Sequence, residues 1–170
     1  VRKAFEVEDL WKRLLSVAEQ YGAIGILNDY IEIAKYTNAP AHLGQKDQVE
    51  KTDALPFFGR STHSEDEVNS AISEDPRPLY IGFGAMFQSS TKPRVAPAAS
   101  IWSQVEALWP DYFVLIGGIS LERLPQLPAS KRIAYAVISD FFRDGTKPVS
   151  KLRNYTKKFL EKAMGYRRNG

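Results

Sequence analysis

Hydrophobic positions along the chain follow two alternating patterns. Residues 5–21 carry apolar side chains, Leu14 and Tyr21 among them, at the three- and four-residue spacing of one helix face, and Gly22 marks the helix end. Short continuous apolar runs then alternate with amphipathic stretches, and such runs, bounded by turn residues, are typical of buried strands. The pattern predicts six strands, at 23–27, 41–43, 57–59, 79–83, 112–116 and 133–138.

The stretches between the strands predict helices. Ser64 and Glu67 have the Ser-x-x-Glu form of a capping box, so a helix should run from there to about Ser73. Pro148 is a favourable first-turn residue and predicts a basic C-terminal helix over about 148–164, with Leu152 on its apolar stripe. The remaining helices are expected at 31–36, around Ile101, Trp102, Val105 and Leu108, and briefly at 121–127.

Alternating strands and helices predict an α/β fold with a parallel sheet and crossover helices. An open doubly wound sheet concentrates its functional residues at one switch point, whereas a barrel brings every strand's carboxyl end to one site. Polar and glycine-rich residues follow nearly every predicted strand, which favours the barrel. We therefore predict a single TIM-type (βα)₈-barrel domain over 1–170. Six strands are two short of eight, so the first βα unit and most of the second strand are expected to be absent from the chain.

Composition narrows the class of protein. The chain is 44% hydrophobic, enough for a packed core, and it has no cysteine, which excludes disulfides and thiolate metal sites. No apolar run approaches the roughly 20 residues of a membrane helix, and no signal peptide opens the sequence. These features predict a cytoplasmic protein that does not enter a membrane. Eight basic residues and one acidic residue lie within 147–168, which we interpret as a solvated helix face rather than a nucleic-acid site.

Carboxylates follow the first two predicted strands. Asp29 stands beside Asn28 after the first strand, and Asp47 follows the second. Mg²⁺ is commonly held by one or two carboxylates and completes its shell with water and phosphate oxygens, so two such residues indicate a phosphorylated ligand. Helix capping is the alternative role for both carboxylates. His42 is better interpreted as a hydrogen-bonded core residue.

Anion-binding features follow the later strands. Residues 84–92, GAMFQSSTK, combine three hydroxyls with Lys92, which is suited to phosphate oxygens. Gly117 and Gly118 follow the fifth predicted strand and Ser139 follows the sixth. The last two strands of a barrel are where backbone N–H groups most often bind phosphate. The sequence therefore predicts one metal-bound pyrophosphate and one separate phosphate.

Five ordered motifs, ILND, HLGQKD, GRSTHS, IGFGAMFQSSTKP and LIGGIS, together resemble the thiamine-phosphate synthase family over about residues 8–142. The resemblance implies a (βα)₈ barrel that joins hydroxymethylpyrimidine pyrophosphate to thiazole phosphate, giving thiamine monophosphate and pyrophosphate with Mg²⁺ as cofactor. It implies catalytic contacts to pyrophosphate from Asn28 and Lys92, with Arg2 as a further basic contact. It further assigns Mg²⁺ to Asp29 and Asp47, the pyrimidine side to Ser61, and the thiazole phosphate to Ser89, Thr91, Gly118, Ile138 and Ser139.

Three departures from the family pattern keep other functions open. Only Val1-Arg2-Lys3 corresponds to a basic Gln-x-Arg-x-Lys strand, Ser89 stands where threonine is usual, and the segment between Asp47 and Ser61 is short. A thiazole tautomerase with His63 as acid/base group is the second interpretation. A non-catalytic homologue that binds thiamine precursors is third, and nucleic-acid binding through the basic helix is least favoured. We expect phosphorylated small molecules as partners and leave homo-oligomerisation open.

Overall fold

A computed structural model describes residues 4–48, 52–88, 98–142 and 148–164. These residues contain six strands: β1 (Leu27–Asn28), β2 (Ala41–Leu43), β3 (Phe58–Thr62), β4 (Tyr80–Phe83), β5 (Tyr112–Ile116) and β6 (Ile133–Ala136). They contain the helices α1 (Ala4–Gln20), α2 (Ile31–Tyr36), α3 (Glu65–Ile72), α4 (Trp102–Leu108), α5 (Ser139–Phe142) and α6 (Pro148–Met164). Short 3₁₀ turns occupy Ala98–Ile101 and Leu124–Gln126.

The chain divides into two compact units. The first holds the described residues up to Ser61 together with Glu74–Leu79, and the second holds Thr62–Ser73 and the described residues from Tyr80 onward. Each is described by itself below.

The first unit contains α1, α2 and the parallel strands β1, β2 and β3 in chain order. Asn28 pairs with His42, and Leu43 pairs with Arg60, so the carboxyl ends of these strands lie side by side. Small residues such as Ala34 and Ala41, both fully buried, leave little space between α2 and the strands. Trp11 of α1 completes this core and donates a hydrogen bond from Nε1 to Thr37 Oγ1 at 3.1 Å.

The second unit contains β4, β5 and β6, again parallel and in chain order. Its core is aromatic: Phe83, Trp109 and Phe113 are almost fully buried, and the Trp102 ring meets the edge of Phe113 at a centroid distance of 4.8 Å. Ser64 caps α3 as predicted, because its side chain accepts a hydrogen bond from the backbone N–H of Glu67. In both units the strand order follows the chain, which confirms the predicted α/β class and its parallel strands.

Several element boundaries differ from the prediction. The first strand begins only at Leu27, since Ile24 and Ile26 of the predicted strand are exposed. The third strand continues through polar residues to Thr62, because its backbone groups find partners on a neighbouring strand whatever the side chains are. The prediction of a helix over 121–127 was wrong, because only a 3₁₀ turn forms there, around Pro125. The sixth strand ends at Ala136 and is followed by the unpredicted helix α5.

Two predicted helix faces also need correction. Leu14 of α1 and Tyr21, which lies just after this helix, are exposed to solvent, as is Leu152 of α6. Among the α6 side chains that the structure describes, the buried ones are instead Lys151 and Tyr155, whose polar groups have hydrogen-bond partners. Across the described residues no helix is long and apolar enough to cross a membrane.

Candidate functional site

The turn after β1 presents Asn28 and Asp29. Asp29 has a left-handed backbone conformation, with φ at 67°, which Asp adopts more readily than most residues. Its backbone N–H donates to the His42 carbonyl at 3.3 Å, and Asn28 Nδ2 donates to Asp29 Oδ2 at 2.6 Å. The N-cap residue of α2 is Tyr30, which makes no side-chain capping bond. The capping alternative for Asp29 is therefore wrong, and its exposed carboxylate remains available for a ligand.

The turn after β2 presents Asp47. Its backbone N–H donates to the Gly44 carbonyl at 3.2 Å, while the Gly44 N–H donates to Asp47 Oδ2 at 2.7 Å. Asp47 thus closes a tight turn, and it precedes no helix in the described part of the chain between Leu43 and Phe58. One carboxylate oxygen, Oδ2, thus maintains the turn.

His42 lies between these two turns. Its Nε2 is 2.9 Å from Ser61 Oγ, which confirms the prediction that it is a hydrogen-bonded residue. Burial lowers the pKa of His42 below its ordinary value; the charges of Asp29 and Asp47 oppose this shift, and that of Arg60 adds to it. Both carboxylates therefore lie close enough to act electrostatically on the same ring. Of the predicted residues, Asp29, Asp47 and Ser61 therefore lie near His42.

The donors of this site fit Mg²⁺. Asp29 and Asp47 supply carboxylate oxygens, the hard ligands that this ion prefers. Within the described residues no group of three or more His, Asp or Glu side chains is placed to hold a metal by itself. The protein would thus provide one or two ligands, and water and phosphate oxygens would provide the others. That is the usual coordination of Mg²⁺ in sites that bind phosphorylated substrates.

In the second unit, the turn after β5 presents backbone groups. Gly117 and Gly118 have φ angles of 97° and 64°, which strongly favour glycine. The Gly118 carbonyl accepts a hydrogen bond from Arg123 Nη1 at 2.9 Å. A Cβ on Gly118 would lie 2.9 Å from Phe87 Cβ, so the backbone here is closely approached. A side chain at either position would therefore be strained and would collide with Ala85 or Phe87.

The end of β6 leads to Ile138 and Ser139, both exposed. Ser139 is the first residue of α5, and the Ile138 carbonyl accepts from the Phe141 N–H at 3.1 Å. Their exposure after a parallel strand is compatible with binding a ligand. Four further predicted residues, Arg2, Ser89, Thr91 and Lys92, lie outside the described residues.

His63 lies immediately before Ser64, the N-cap residue of α3. Its backbone N–H donates to Glu67 Oε2, and its ring Nδ1 lies 3.2 Å from the same carboxylate oxygen. This arrangement replaces the second half of the predicted capping box, in which Glu67 would have reached the Ser64 N–H. The histidine thus acts at the helix start, which weakens the tautomerase interpretation.

Comparisons with known proteins show the family of this chain. The profile of the TMP-TENI family, described as thiamine monophosphate synthase, matches residues 2–141. The chain belongs to the thiamine monophosphate synthase family. It is 36% identical over 146 residues to the thiamine-phosphate synthase of Photorhabdus laumondii, and 36% identical over 136 residues to that of Yersinia pestis. These alignments cover 79% and 74% of this chain, but 65% and 61% of the relatives.

A solved structure shows the fold that the family shares. Thiamine phosphate pyrophosphorylase from Pyrococcus furiosus matches with a TM-score of 0.76 and 21% identity, covering 94% of this chain and 80% of that one. At this identity the likeness establishes the fold alone. The chain spans less than two thirds of the length of the curated synthases that it matches.

The sequence analysis did not identify two buried charged residues of this chain, Arg60 and Asp140. Arg60, on β3, is 4% exposed and donates to carbonyls of the Asp47 turn. In the second unit Asp140 of α5 is buried and accepts a hydrogen bond from the Tyr155 hydroxyl at 2.6 Å, while Lys151 donates to the Asp140 carbonyl. A buried charge needs such partners. The sequence signal was a charged residue within or beside a predicted strand end.

Proposed function

We propose that this chain is a thiamine-phosphate synthase-type transferase. It would join hydroxymethylpyrimidine pyrophosphate to thiazole phosphate, yielding thiamine monophosphate and pyrophosphate. Family membership supports the proposal, as do relatives that carry this name. The observation that carries it is the pair Asp29 and Asp47, which lie in the turns after the neighbouring parallel strands β1 and β2, with His42 of β2 between them in the chain.

The chemistry of the reaction explains why metal-binding and hydrogen-bonding residues are enough for catalysis. The bond between the pyrimidine methylene and the pyrophosphate oxygen breaks, and the electron pair leaves with pyrophosphate. The thiazole nitrogen then donates its lone pair to the methylene carbon. No protein nucleophile is required; the site must stabilise charge on the leaving group and align two substrates. When bound, Mg²⁺ would neutralise charge on the pyrophosphate oxygens.

The residues of the first unit would bind the pyrimidine substrate. Asp29 and Asp47 would hold the metal, and the Asn28 amide, beside Asp29, would contact pyrophosphate. Ser61, held by His42, would lie at the pyrimidine side. Lys92 and Arg2 would add positive charge for the leaving group, in keeping with the family resemblance.

The residues of the second unit would bind the thiazole phosphate. Gly118 would contribute a backbone N–H from its left-handed turn, and Ser139 an exposed hydroxyl. Ile138, Ser89 and Thr91 complete the set that the resemblance implies. This proposal includes the finer fold expectation, in which the six strands belong to a closed eight-stranded barrel.

The test measures product directly. Purified protein is incubated with both substrates and Mg²⁺, and thiamine monophosphate and pyrophosphate are quantified. We expect both products in equal amounts, and we expect Asp47→Asn to lower kcat/KM by about a hundredfold or more, because an amide is a poorer ligand for a hard cation. Removal of Mg²⁺ with a chelator should abolish turnover.

Asp53→Asn is the matched control. Asp53 is an exposed carboxylate of the same unit, and its replacement removes the same charge without altering the turn after β2. It should leave kcat/KM within about twofold, since surface substitutions rarely perturb a distant site. Absence of thiamine monophosphate from the wild-type reaction would overturn the proposed function. Wild-type kinetics for Asp47→Asn would remove Asp47 from the site.

A further inference from the structure

Arg60 is an unusual residue for the interior of an α/β unit. It lies on β3 and is 4% exposed, whereas arginine is almost never fully buried unless it is paired. Burial of a guanidinium costs free energy that only a good set of hydrogen bonds can offset. The partners of Arg60 therefore indicate why this strand carries a charge.

One side of the guanidinium meets Glu74. Arg60 Nε lies 2.8 Å from Glu74 Oε1, and the side chain of Glu74 is itself only 18% exposed. Burial raises the pKa of Glu74, and the charge and hydrogen bond of Arg60 oppose that shift. The two groups thus form a nearly neutral pair.

The other side of the guanidinium meets the Asp47 turn. Arg60 Nη1 donates to the Gly44 carbonyl at 2.6 Å and to the Asp47 carbonyl at 3.1 Å. These carbonyls stand at the two ends of the turn that the Asp47 carboxylate closes through the Gly44 N–H. One buried nitrogen therefore fixes the backbone on both sides of the proposed metal ligand.

We propose that Arg60 is a positioning residue, which holds the Asp47 turn in the conformation that binds the divalent cation. The inference rests on the proposed function, because it takes Asp47 as a metal ligand. Arg60 itself touches neither metal nor substrate. Partners of this kind orient the ligands of many metal sites, and their loss typically weakens metal affinity by about 10- to 100-fold. A ligand held in place before binding also loses less conformational entropy on binding.

A second arginine provides a matched control. Arg132 Nη1 donates to the carbonyls of Trp109, Pro110 and Asp111, at 3.1, 2.8 and 3.3 Å. It holds the turn before β5 much as Arg60 holds the turn after β2. None of the proposed site residues belongs to that turn. Loss of Arg132 should therefore destabilise the protein without changing its affinity for a cation.

The experiment measures binding of Mn²⁺, a paramagnetic substitute for Mg²⁺, in the presence of inorganic pyrophosphate. Free Mn²⁺ is quantified by electron paramagnetic resonance for the wild type and for Arg60→Met, Arg132→Met and Asp47→Asn. Thermal unfolding is recorded for each protein. We expect Arg60→Met to raise the Kd for Mn²⁺ by about 10- to 100-fold, and Arg132→Met to leave it within about twofold.

A second variant covers the case in which Arg60→Met fails to fold. Arg60→Lys keeps the buried charge, but one ammonium cannot reproduce the planar fork that reaches Glu74 and both carbonyls. We expect a Kd raised severalfold, and faster hydrogen exchange of the Asp47 amide, which donates to Gly44 in the intact turn. Wild-type values for both quantities in Arg60→Lys would overturn the inference.

The remaining outcomes separate the inference from the proposed function. If Asp47→Asn loses Mn²⁺ while Arg60→Met binds it like the wild type, the positioning role is wrong and the metal site stands. Equal weakening by Arg60→Met and Arg132→Met would show that general destabilisation explains the loss, and would also overturn the positioning role. If the wild type binds no Mn²⁺, both the metal part of the proposed function and the inference fail.

Discussion

Two turns after parallel strands present their proposed functional groups in different ways. The Gly44–Asp47 turn after β2 offers a carboxylate, whereas the Gly117–Gly118 turn after β5 offers backbone groups. An arginine binds a carbonyl in each, but Arg60 is buried and Arg123 is exposed. The conformation of the first turn thus depends on the Asp47 carboxylate and on the buried Arg60 that binds its carbonyls. The conformation of the second turn depends on glycine at both positions.

This difference teaches which mutations each site should tolerate. A carboxylate site is lost when the ligand changes chemically, even if the backbone stays in place. A glycine turn is lost when any side chain is added, even a methyl group, because φ angles above zero and close backbone contacts exclude it. Each of the following experiments acts on one side of this comparison.

The largest effect is expected from Gly117→Ala. Gly117 has a φ of 97°, and an added Cβ would lie 2.6 Å from both Cα and Cβ of Ala85. The Gly117 carbonyl also accepts from the Phe87 N–H at 3.1 Å, so the turn cannot move away without losing that bond. Backbone strain and overpacking together should lower the free energy of unfolding by about 3 kcal/mol, measured by urea denaturation.

Gly22→Ala isolates the strain from the overpacking. Gly22, just after α1, also has a positive φ, although its value of 63° lies in the left-handed region and is less strained for alanine than 97°; nothing lies within 4 Å of an added Cβ. This substitution should cost about 1 kcal/mol, which is the backbone contribution alone. Equal losses for Gly22→Ala and Gly117→Ala would show that contact with Ala85 is unimportant.

High pH should lower the free energy of unfolding through a buried tyrosine, Tyr80, in the second unit, which also carries the glycine turn. Burial of Tyr80, at the start of β4, raises the pKa of its hydroxyl from 10.0 to about 12. Above pH 10 the unfolded chain therefore releases this proton first, so stability is lost as pH rises from 10 to 12. The full shift of two pKa units corresponds to about 2.7 kcal/mol, and denaturation curves over this pH range would measure the loss of most of it.

Tyr80→Phe should remove this part of the stability loss at alkaline pH, whereas Tyr112→Phe should not. Tyr112 stands at the start of β5, but more than half of its surface is exposed. The comparison uses the slope of stability against pH rather than its absolute value, because the Tyr80 hydroxyl also contributes at neutral pH. Identical slopes for wild type and Tyr80→Phe would show that another group causes the loss.

Residue type and spacing were enough to predict the class of fold and to single out two carboxylates that follow neighbouring strands. Asp29 and Asp47 could be found because each follows a short apolar run, and the ends of neighbouring parallel strands meet. The Ser64 cap could be found because capping is a local interaction. That the metal and phosphate residues bind these ligands remains a prediction, as does the single barrel domain.

The parts that could not be predicted depend on distant partners. Arg60 lay beyond the predicted third strand, and its burial is stabilised by Glu74, 14 residues away. The apolar pattern of α6 placed Leu152 inward, but the buried carboxylate of Asp140 requires donors, and Tyr155 supplies one. Such pairings are set by tertiary packing, which the spacing of apolar residues does not encode.

The smallest effect is expected from Arg123→Met. Arg123 Nη1 donates to the Gly118 carbonyl at 2.9 Å, and its guanidinium lies 5.2 Å from the centre of the Phe87 ring. Because the side chain is exposed, its loss should lower the free energy of unfolding by less than about 1 kcal/mol. The turn that it holds is proposed to bind the thiazole phosphate in ground and transition states alike.

The KM for thiazole phosphate should therefore rise severalfold in Arg123→Met, while kcat changes little, as expected when uniform binding is lost. Steady-state kinetics with the pyrimidine substrate saturating would measure both constants. Arg13→Met, which removes an exposed guanidinium from α1, should change neither. A fall in kcat with an unchanged KM would place Arg123 in contact with the reacting groups. Wild-type constants would show that the glycine turn needs no support from Arg123, in contrast to the dependence proposed for the Asp47 turn on Arg60.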